Sequence, residues 1–389
     1  MPAVLVACTG VSILSTDLYL PSLPHLPELL HTDTTTVQLT LSLNIAAYSV
    51  AQLLHGPLSD RFGRRFLLIA GMIGFFVATL VCGLAADIDT LIAGRIGQGL
   101  TASVGSVVIV LIIRDLYHGS KAMQVMAAYG VALGLVPAVG PLIGGFVFVN
   151  LGWQANFLLL AGAIVIVFCL VLRFVPETGD RNPHALRPRA MLSAYAQLLR
   201  NRGYLRYYLP LTFSFGALFA FLTEGPFLVI QRFGVATEAY GLYHAIIVVA
   251  YMAGSLAVGR LAGRVQPADF VRLSMSSGAG GAFLLLLPVL LGYESLWLIM
   301  SGMALYALSL GFILASGPMC MLAAVEDGPK GSASALAGAS QMAAGSLAGF
   351  IVAFTHDGSA LPMTATIAGF LVLAVGGYRL CRPDQPVAM

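Results

Sequence analysis

Twelve apolar segments of about 20 residues, joined by short polar connections, constrain this chain more than any other feature. A helix of that length crosses the hydrocarbon core of a bilayer, because each residue adds about 1.5 Å. Hydrophobic residues make up 58% of the 389 residues and charged residues 10%, against about 25% charged in soluble domains. We therefore expect an all-α membrane protein with twelve transmembrane helices. The segments run roughly 3–23, 37–58, 66–86, 91–113, 122–149, 153–174, 207–231, 239–262, 270–291, 295–321, 331–354 and 361–380.

Lysine and arginine residues are concentrated in every second connection, and this asymmetry predicts the orientation of the chain. The connections that follow even-numbered segments carry Arg61, Arg64, Arg65, Arg114, Lys121, Arg264 and Lys330. Those that follow odd-numbered segments carry Arg232 alone. Because positive residues remain on the cytoplasmic side, we expect both termini and the even connections in the cytoplasm of a bacterial cell, at its inner membrane. The net charge of +3 is small and follows topology, so no nucleic-acid binding is expected.

One long connection divides the segments into two sets of six. We expect a bundle over 1–175, a cytoplasmic linker over 176–206 and a second bundle over 207–389. A weak repeat supports related halves, because RLAGR follows the eighth segment much as RFGRR follows the second. Within the linker, residues 189–200 have the apolar spacing of a short amphipathic helix, although a plain linker on the membrane surface is the simpler interpretation.

The second connection, residues 56–65 (GPLSDRFGRR), holds four charged residues between two apolar segments. Gly56 and Pro57 are expected to end a helix, and Asp60 is expected to accept hydrogen bonds from the start of a neighbouring helix. The arginines suit carboxylates or anionic lipid, and topology anchoring alone is the alternative role. The stretch resembles the G-x-L-x-D-R-x-G-R-R signature of the major facilitator superfamily.

That resemblance implies two pseudo-symmetric six-helix bundles around a central cavity, working by alternating access. It also implies that the second connection latches one conformation. A P-E-T motif at residues 176–178 resembles another family motif and adds Glu177 to this latch. The expected latch residues are Gly56, Asp60, Arg61, Gly63, Arg64, Arg65 and Glu177.

The fourth segment contains RIGQG at residues 95–99. An arginine inside a membrane helix costs roughly 2.5–3.5 kcal/mol, so Arg95 needs water or a partner. The stretch resembles the R-x-x-Q-G signature of the superfamily, and the resemblance links Arg95 to proton transfer. The alternative is that Arg95 extends to the membrane interface.

The fifth segment contains PAVGPLIGG at residues 137–145. Two prolines predict a bent helix, and regularly spaced glycines predict close helix packing. The stretch resembles the antiporter motif G-P-x-x-G-G, and its second proline resembles the bicyclomycin-resistance (Bcr/CflA) branch. The resemblance implies drug–proton exchange, and a packing kink without that consequence is the alternative. The motif residues are Pro137, Gly140, Pro141, Gly144 and Gly145.

Two carboxylates lie within apolar segments. Asp17 belongs to DLYLP in the first segment, a sequence similar to one in the same branch. Desolvation disfavours its charged form, so we expect Asp17 to bind and release a proton or to bind a cationic substrate. Its alternative position is the outer interface. Glu224 in the seventh segment departs from the family pattern, and we expect it to be a second titratable or cation-binding site. Asn44, Tyr48 and Gln341 are further cavity candidates, although ordinary interhelical hydrogen bonds would explain them equally well.

No nucleotide-binding loop, zinc-ligand spacing or nucleophile motif occurs in the sequence, so we expect neither an enzyme nor a cofactor. The implied function is proton-coupled multidrug efflux, with protons as the coupling ion. The expected partners are small lipophilic or cationic drugs, protons and membrane lipid, with the chain acting as a monomer. A proton-coupled or uniport carrier of sugars or metabolites is the first alternative, and a non-transporting membrane protein is the second.

Overall fold

The computed structural model describes residues 1–179, 188–325 and 330–381, and these residues are almost entirely helical. Short 3-10 turns cover Leu20–His25 and Thr237–Ala239, and a π-helical turn covers Phe227–Arg232. The α-helices are α1 (Pro2–Asp17), α2 (Leu26–Leu29), α3 (Thr34–Phe62), α4 (Arg64–Gly83), α5 (Ile88–Ala102), α6 (Val104–Leu116), α7 (Gly119–Leu151), α8 (Trp153–Phe174), α9 (Pro188–Arg200), α10 (Arg202–Pro226), α11 (Tyr240–Arg260), α12 (Pro267–Leu290), α13 (Leu296–Ala323), α14 (Lys330–Thr355) and α15 (Leu361–Leu380).

Within these ranges, 12 helices or runs of consecutive helices are long and apolar enough to cross a membrane. The fourth of these spans, Ile88–Leu116, consists of α5 and α6, and the seventh, Arg202–Arg232, consists of α10 with its π-helical turn. Many large apolar side chains are exposed, among them Phe354 and Val372, as expected for helices that face lipid. The all-helical fold and the twelve spans predicted from the sequence are confirmed.

The turn after the second span lies at Gly63, so the expectation that Gly56 and Pro57 end the helix is wrong. Helix α3 includes both residues and continues to Phe62. Gly63 has a φ of 104°, a conformation open to glycine because it has no Cβ. Its N–H donates to the Ser59 carbonyl at 3.0 Å and completes the last turn of α3. Pro57 lies inside α3, where it removes one backbone donor but does not end the helix.

The plain-linker interpretation of residues 189–200 is also wrong, because they belong to helix α9. Leu198 is buried against the second bundle, whereas Leu192 and Leu199 are exposed. The remainder of the expected linker, residues 180–187, and the C-terminal residues 382–389 lie outside the described residues.

The chain forms two compact units, which we describe separately. Unit 1 comprises Met1–Arg187 with Val235–Leu242, and unit 2 comprises Pro188–Gly234 with Tyr243–Met389. In unit 1, α1 packs on α6, α7 and α8, and α5 packs on α3 and α4. In unit 2, α10 packs on α13, α14 and α15, so the span that contains α10 is 83% buried in its most apolar window. Glu224 lies on this central helix.

Candidate functional site

Asp17 is the last residue of α1 and is only 5% exposed. Its Oδ2 has no hydrogen-bond partner among the described residues. A charged carboxylate is costly in such surroundings unless a proton or another cation neutralises it. Asp17 is therefore a buried group whose charge is not compensated by a hydrogen bond to Oδ2.

Helix α7 packs on α1 at Asp17 through two glycines of the PAVGPLIGG stretch. A Cβ atom on Gly140 would lie 2.6 Å from the Asp17 Cβ, and one on Gly144 would lie 2.2 Å from the Leu18 carbonyl oxygen. Neither distance is sterically possible, so glycine is required for this approach of the two backbones. Pro137 and Pro141 lie inside the continuous helix α7. Two stretches that the sequence singled out separately thus form one site.

A segment far away in the sequence covers this site from the other side. A Cβ atom on Gly145 would lie 2.7 Å from the Thr237 carbonyl oxygen, so the 3-10 turn Thr237–Ala239 packs on α7. Tyr240, which follows this turn, is buried and interacts electrostatically with Asp17. His25 Nε2 lies 2.8 Å from Thr237 Oγ1. The sequence analysis did not identify His25, Thr237 or Tyr240. No local pattern indicates that residues 235–242, at the start of the eighth apolar segment, belong to unit 1.

Arg95 is fully buried in α5 and does not extend to an interface. Its Nη1 donates to the Ser15 carbonyl and to Gln98 Oε1, both at 2.8 Å. Its guanidinium carbon lies 4.9 Å from the centroid of the Tyr19 ring, a cation–π geometry. Among the described residues, Nε and Nη2 have no acceptor, and Arg95 forms no ion pair with Asp17. The arginine thus binds the backbone of α1 two residues before Asp17.

The two candidates on α3 make interhelical hydrogen bonds within unit 1. Asn44 Nδ2 donates to the Arg95 carbonyl at 2.7 Å, and the Tyr48 hydroxyl lies 2.6 Å from Ser106 Oγ. A Cβ atom on Gly99 would lie 2.1 Å from the Asn44 carbonyl oxygen, so the final glycine of RIGQG lets α5 approach α3. Asn44 therefore helps to fix the helix that carries Arg95.

Glu224 lies in unit 2 with its side chain fully buried. Its Oε1 and Oε2 lie 2.9 and 3.1 Å from His356 Nδ1. His356 follows α14, and its side chain is 19% exposed. The hydrogen bond to Glu224 raises the pKa of His356 above its usual value, against the opposing effect of partial burial. Sequence reasoning missed His356, because a single histidine in a connection 132 residues away carries no signal of this contact.

The GPLSDRFGRR stretch forms a polar cluster with α6 and the segment after α8. Arg64 Nη1 donates to Asp60 Oδ1 and to Ser59 Oγ, the latter at 2.6 Å, and its Nε lies 3.3 Å from Asp115 Oδ2. Thr178 Oγ1 donates to the same Asp115 oxygen at 3.2 Å. Sequence reasoning missed Asp115, which is the acidic centre of this cluster.

The start of α4 is bound by Glu177 instead of Asp60, which corrects the role expected for Asp60. Glu177 Oε1 accepts a hydrogen bond from the Arg65 backbone N–H at 3.0 Å, where the unpaired N–H groups of a helix start attract negative charge. Asp60 is occupied by Arg64, four residues later on the chain. Arg61 is exposed and stacks on Phe62 with 5.3 Å between guanidinium carbon and ring centroid.

Comparison with known proteins identifies the family. Residues 5–353 match the sequence profile of the Major Facilitator Superfamily. The chain belongs to this superfamily. It is therefore a multi-pass membrane transporter and not an enzyme.

Two relatives of this superfamily member are named for drug resistance. The chloramphenicol resistance protein of Pseudomonas aeruginosa is 31% identical over 299 residues, which cover 75% of this chain and 70% of the relative. The bicyclomycin resistance protein homolog of Haemophilus influenzae is 27% identical over 371 residues, covering 93% and 91%. The resemblance to the bicyclomycin and chloramphenicol resistance proteins is confirmed.

A solved structure supports the fold alone. It is a bacterial homolog of the human lysosomal transporter Spinster, with a TM-score of 0.73 and 14% identity. The match covers 98% of this chain and 96% of the other. The major facilitator fold expected from the sequence is confirmed.

The six cavity candidates of this superfamily member divide between the units. Asp17, Asn44, Tyr48 and Arg95 lie in unit 1, where Arg95 contacts both the α1 backbone and Asn44. Glu224 and the partly buried Gln341 lie in unit 2, on α10 and α14. The geometry within unit 1 thus joins the antiporter-like glycines, Asp17 and Arg95 through consecutive contacts along α1.

Replacing Gly144 with alanine tests the close contact between α7 and α1. We expect Gly144→Ala to lower the free energy of unfolding by about 1–3 kcal/mol, because the new methyl group overlaps the Leu18 carbonyl. The apparent melting temperature of the purified protein in detergent is the measurement. Gly162→Ala in α8 is the control, since no described atom lies within 4 Å of its new Cβ. Equal melting temperatures for both variants would contradict the contact.

Proposed function

We propose that this chain is a drug–proton antiporter that exports small lipophilic or cationic drugs by alternating access. The observation that carries the proposal is the buried carboxylate of Asp17, whose Oδ2 has no hydrogen-bond partner among the described residues. Gly140 of the antiporter-like motif lies against Asp17, and Gly144 lies against the next residue, Leu18. Membership of the superfamily and relatives named for resistance to chloramphenicol and bicyclomycin support drugs as the substrate class.

The proposed orientation places the arginine-bearing connections in the cytoplasm, with both termini on the same side of the inner membrane. The distribution of lysine and arginine supports it, because such residues are retained on the cytoplasmic side. The cluster of Arg64, Asp60 and Asp115 is then cytoplasmic, and His25 and His356 lie towards the extracytoplasmic side. Protons are the coupling ion, lipid is the surrounding partner, and the working unit is one chain without a cofactor.

In the proposed cycle, one carboxylate exchanges a drug for a proton. Charged Asp17 stabilises a cationic or polarised drug in the inward-facing state. A proton from outside neutralises Asp17, removes that stabilisation and releases the drug. Loss of the proton to the cytoplasm restores the charge. The two ligands compete because they are stabilised by the same charge, even if they contact different atoms.

Arg95 acts in this cycle as a positioning residue. Its hydrogen bond to the Ser15 carbonyl holds the end of α1, two residues before Asp17. Its positive charge is buried, and among the ion pairs of the described residues none joins Arg95 to Asp17. Asp17 therefore keeps its capacity for a proton or a cation, and Arg95 sets the position at which either is bound.

The cytoplasmic cluster around Asp115 is proposed to stabilise one state of the cycle. Asp115 joins α6 to Arg64 at the start of α4, and Glu177 binds the first turn of α4. These bonds are partly exposed, so each contributes about 1 kcal/mol or less. Contacts of that size hold a conformation and still break within a transport cycle.

The decisive experiment is drug-induced proton release from the purified protein, with the parent compared to Asp17→Asn. We expect tetraphenylphosphonium, a lipophilic cation, to release protons from the parent in weakly buffered detergent, and Asp17→Asn to release none, because an amide does not ionise in this pH range. Asp89→Asn, on an exposed residue of α5, is the control and should behave like the parent.

Everted vesicles separate antiport from the alternatives. Drug uptake into them should collapse when a protonophore removes the proton gradient. Uptake that ignores the gradient would refute the antiporter and favour uniport. Proton-dependent uptake of a sugar with no uptake of drugs would favour a metabolite carrier.

Replacing Arg95 with lysine tests the positioning role. Lysine keeps the charge, but its side chain ends one bond short of the position of Arg95 Nη1, the nitrogen that donates to both the Ser15 carbonyl and Gln98 Oε1. Loss of one charged hydrogen bond costs about 1.5–3 kcal/mol, so we expect about tenfold or greater loss of transport and a changed pH for half-maximal proton release. Arg272→Lys, on the exposed surface of α12, is the control. An unchanged pH profile in a folded Arg95→Lys protein would remove Arg95 from the mechanism.

A further inference from the structure

The environment of Glu224 differs from that of Asp17 in a way that indicates a separate use. Both carboxylate oxygens of Glu224 face one nitrogen, His356 Nδ1. The glutamate is completely buried, whereas the histidine lies in a connection and is partly exposed. The histidine thus joins a buried charge to the surface of unit 2.

The hydrogen-bond geometry determines where a proton binds in this pair. Nδ1 faces a carboxylate, so Nδ1 carries the donated hydrogen whether or not the ring is charged. The free position of the ring is then Nε2. A proton that binds there converts neutral imidazole to imidazolium and changes the pair from one net negative charge to zero.

The position of Glu224 on α10 favours protonation of His356. Glu224 is completely buried just before the point where α10 continues as a π-helical turn, and burial disfavours a negative charge there. Pro226 and the π-helical turn Phe227–Arg232 follow directly, and such irregular turns are frequent at functional sites. A single negative charge in this position is unfavourable, and an adjacent imidazolium offsets it.

The connection that carries His356 is held across the end of α10 at a second point. Glu294 Oε1 accepts a hydrogen bond from the Ala360 N–H at 3.1 Å, while its Oε2 lies 3.2 Å from Arg232 Nη2. Arg232 ends the π-helical turn that continues α10. Residues 356–360 are therefore bound to α10 directly through Glu224 and indirectly through Glu294 and Arg232.

Several helices and connections place other titratable groups near the Glu224–His356 pair. Asp357 follows His356 in the chain, and its Oδ1 accepts from the Ser359 N–H. Arg232 and Glu294 are paired with each other. His244 of α11 stacks on Phe221, one turn before Glu224. The described charged residues of α14 and α15, Lys330 and Arg379, lie at the opposite ends of those helices.

We propose that Glu224 and His356 form a proton-binding site, separate from Asp17, at which a proton from the extracytoplasmic side binds His356 and strengthens the hold of the α14–α15 connection on α10. The statement that the proton comes from the extracytoplasmic side rests on the orientation proposed above. The site itself is independent of the proposed transport function.

The direction of the pH effect follows from the hydrogen bond. Glu224 raises the pKa of His356 above the usual value of about 6.5, so the folded protein binds this proton more tightly than the unfolded chain does. The stabilisation is fully present below pH 6.5 and is lost as the pH rises through the higher folded value. Acid conditions therefore stabilise this end of unit 2.

Modification of histidines by diethylpyrocarbonate tests the site directly, because the reagent attacks neutral imidazole. In the full-length protein in detergent, we expect the modification of His356, followed by mass spectrometry, to reach half its maximal rate at a higher pH in the parent than in Glu224→Gln. At pH 7 the rate at His356 should be a smaller fraction of its own maximum in the parent than in Glu224→Gln. The modification profile of exposed His118 is the control and should be the same in both proteins.

A melting-temperature series from pH 5.5 to 9 provides the second measurement. The parent should lose stability above pH 6.5 more steeply than either Glu224→Gln or His356→Gln, and the double variant should match the single ones. His118→Gln is the control and should retain the parent's slope. If Glu224→Gln does not fold, the slope of His356→Gln decides the question.

Two results would overturn the proposal. In the first, Glu224→Gln does not change the pH profile of His356 modification, and the melting temperature of His356→Gln depends on pH as steeply as that of the parent. The other is a Glu224→Gln protein with normal His356 titration that binds tetraphenylphosphonium at least tenfold more weakly, which would make Glu224 a drug-binding residue.

Discussion

The close approach of α7 to α1 is the contact on which the proposed chemistry depends. Two glycines allow the backbones to meet where α1 ends. At this contact Asp17 is buried, and its Oδ2 has no hydrogen-bond partner among the described residues. A bulkier residue at either position would separate the helices, admit water and reduce the cost of the charge. The cost of a negative charge on Asp17 is thus a consequence of backbone packing. Arg95 on α5 also binds this end of α1, through its hydrogen bond to the Ser15 carbonyl.

The two buried carboxylates, Asp17 and Glu224, differ in how the cost of burying a negative charge is offset. Among the described residues, Asp17 has an oxygen without a hydrogen-bond partner, whereas Glu224 has a histidine in its own unit as a partner. A carboxylate with a resident partner is poorly suited to releasing a ligand in every cycle. An uncompensated one is well suited to that task. The sequence showed both residues as acids within apolar segments and could not distinguish them, since the difference lies in contacts over long sequence separations.

Local periodicity and composition were sufficient for the twelve spans, because lipid imposes the same length and polarity on each. They were insufficient at the turn after α3, where a glycine–proline pair indicated a helix end that occurs at Gly63. Family signatures located Asp17, Arg95 and the glycines of α7, whose mutual contacts follow from the fold. Tyr240, Asp115 and His356 were missed, because each acts through a partner that only tertiary packing brings near.

The double attachment of residues 356–360 also limits how this connection can vary. A segment of five residues that is bound at His356 and again at Ala360 has little spare length, and Gly358 already has a positive φ of 78°. An inserted residue would have to break one of these attachments. Epitope tags and reporter insertions that are tolerated in ordinary surface connections are therefore unsuited to this one, despite its exposure and its lack of regular structure.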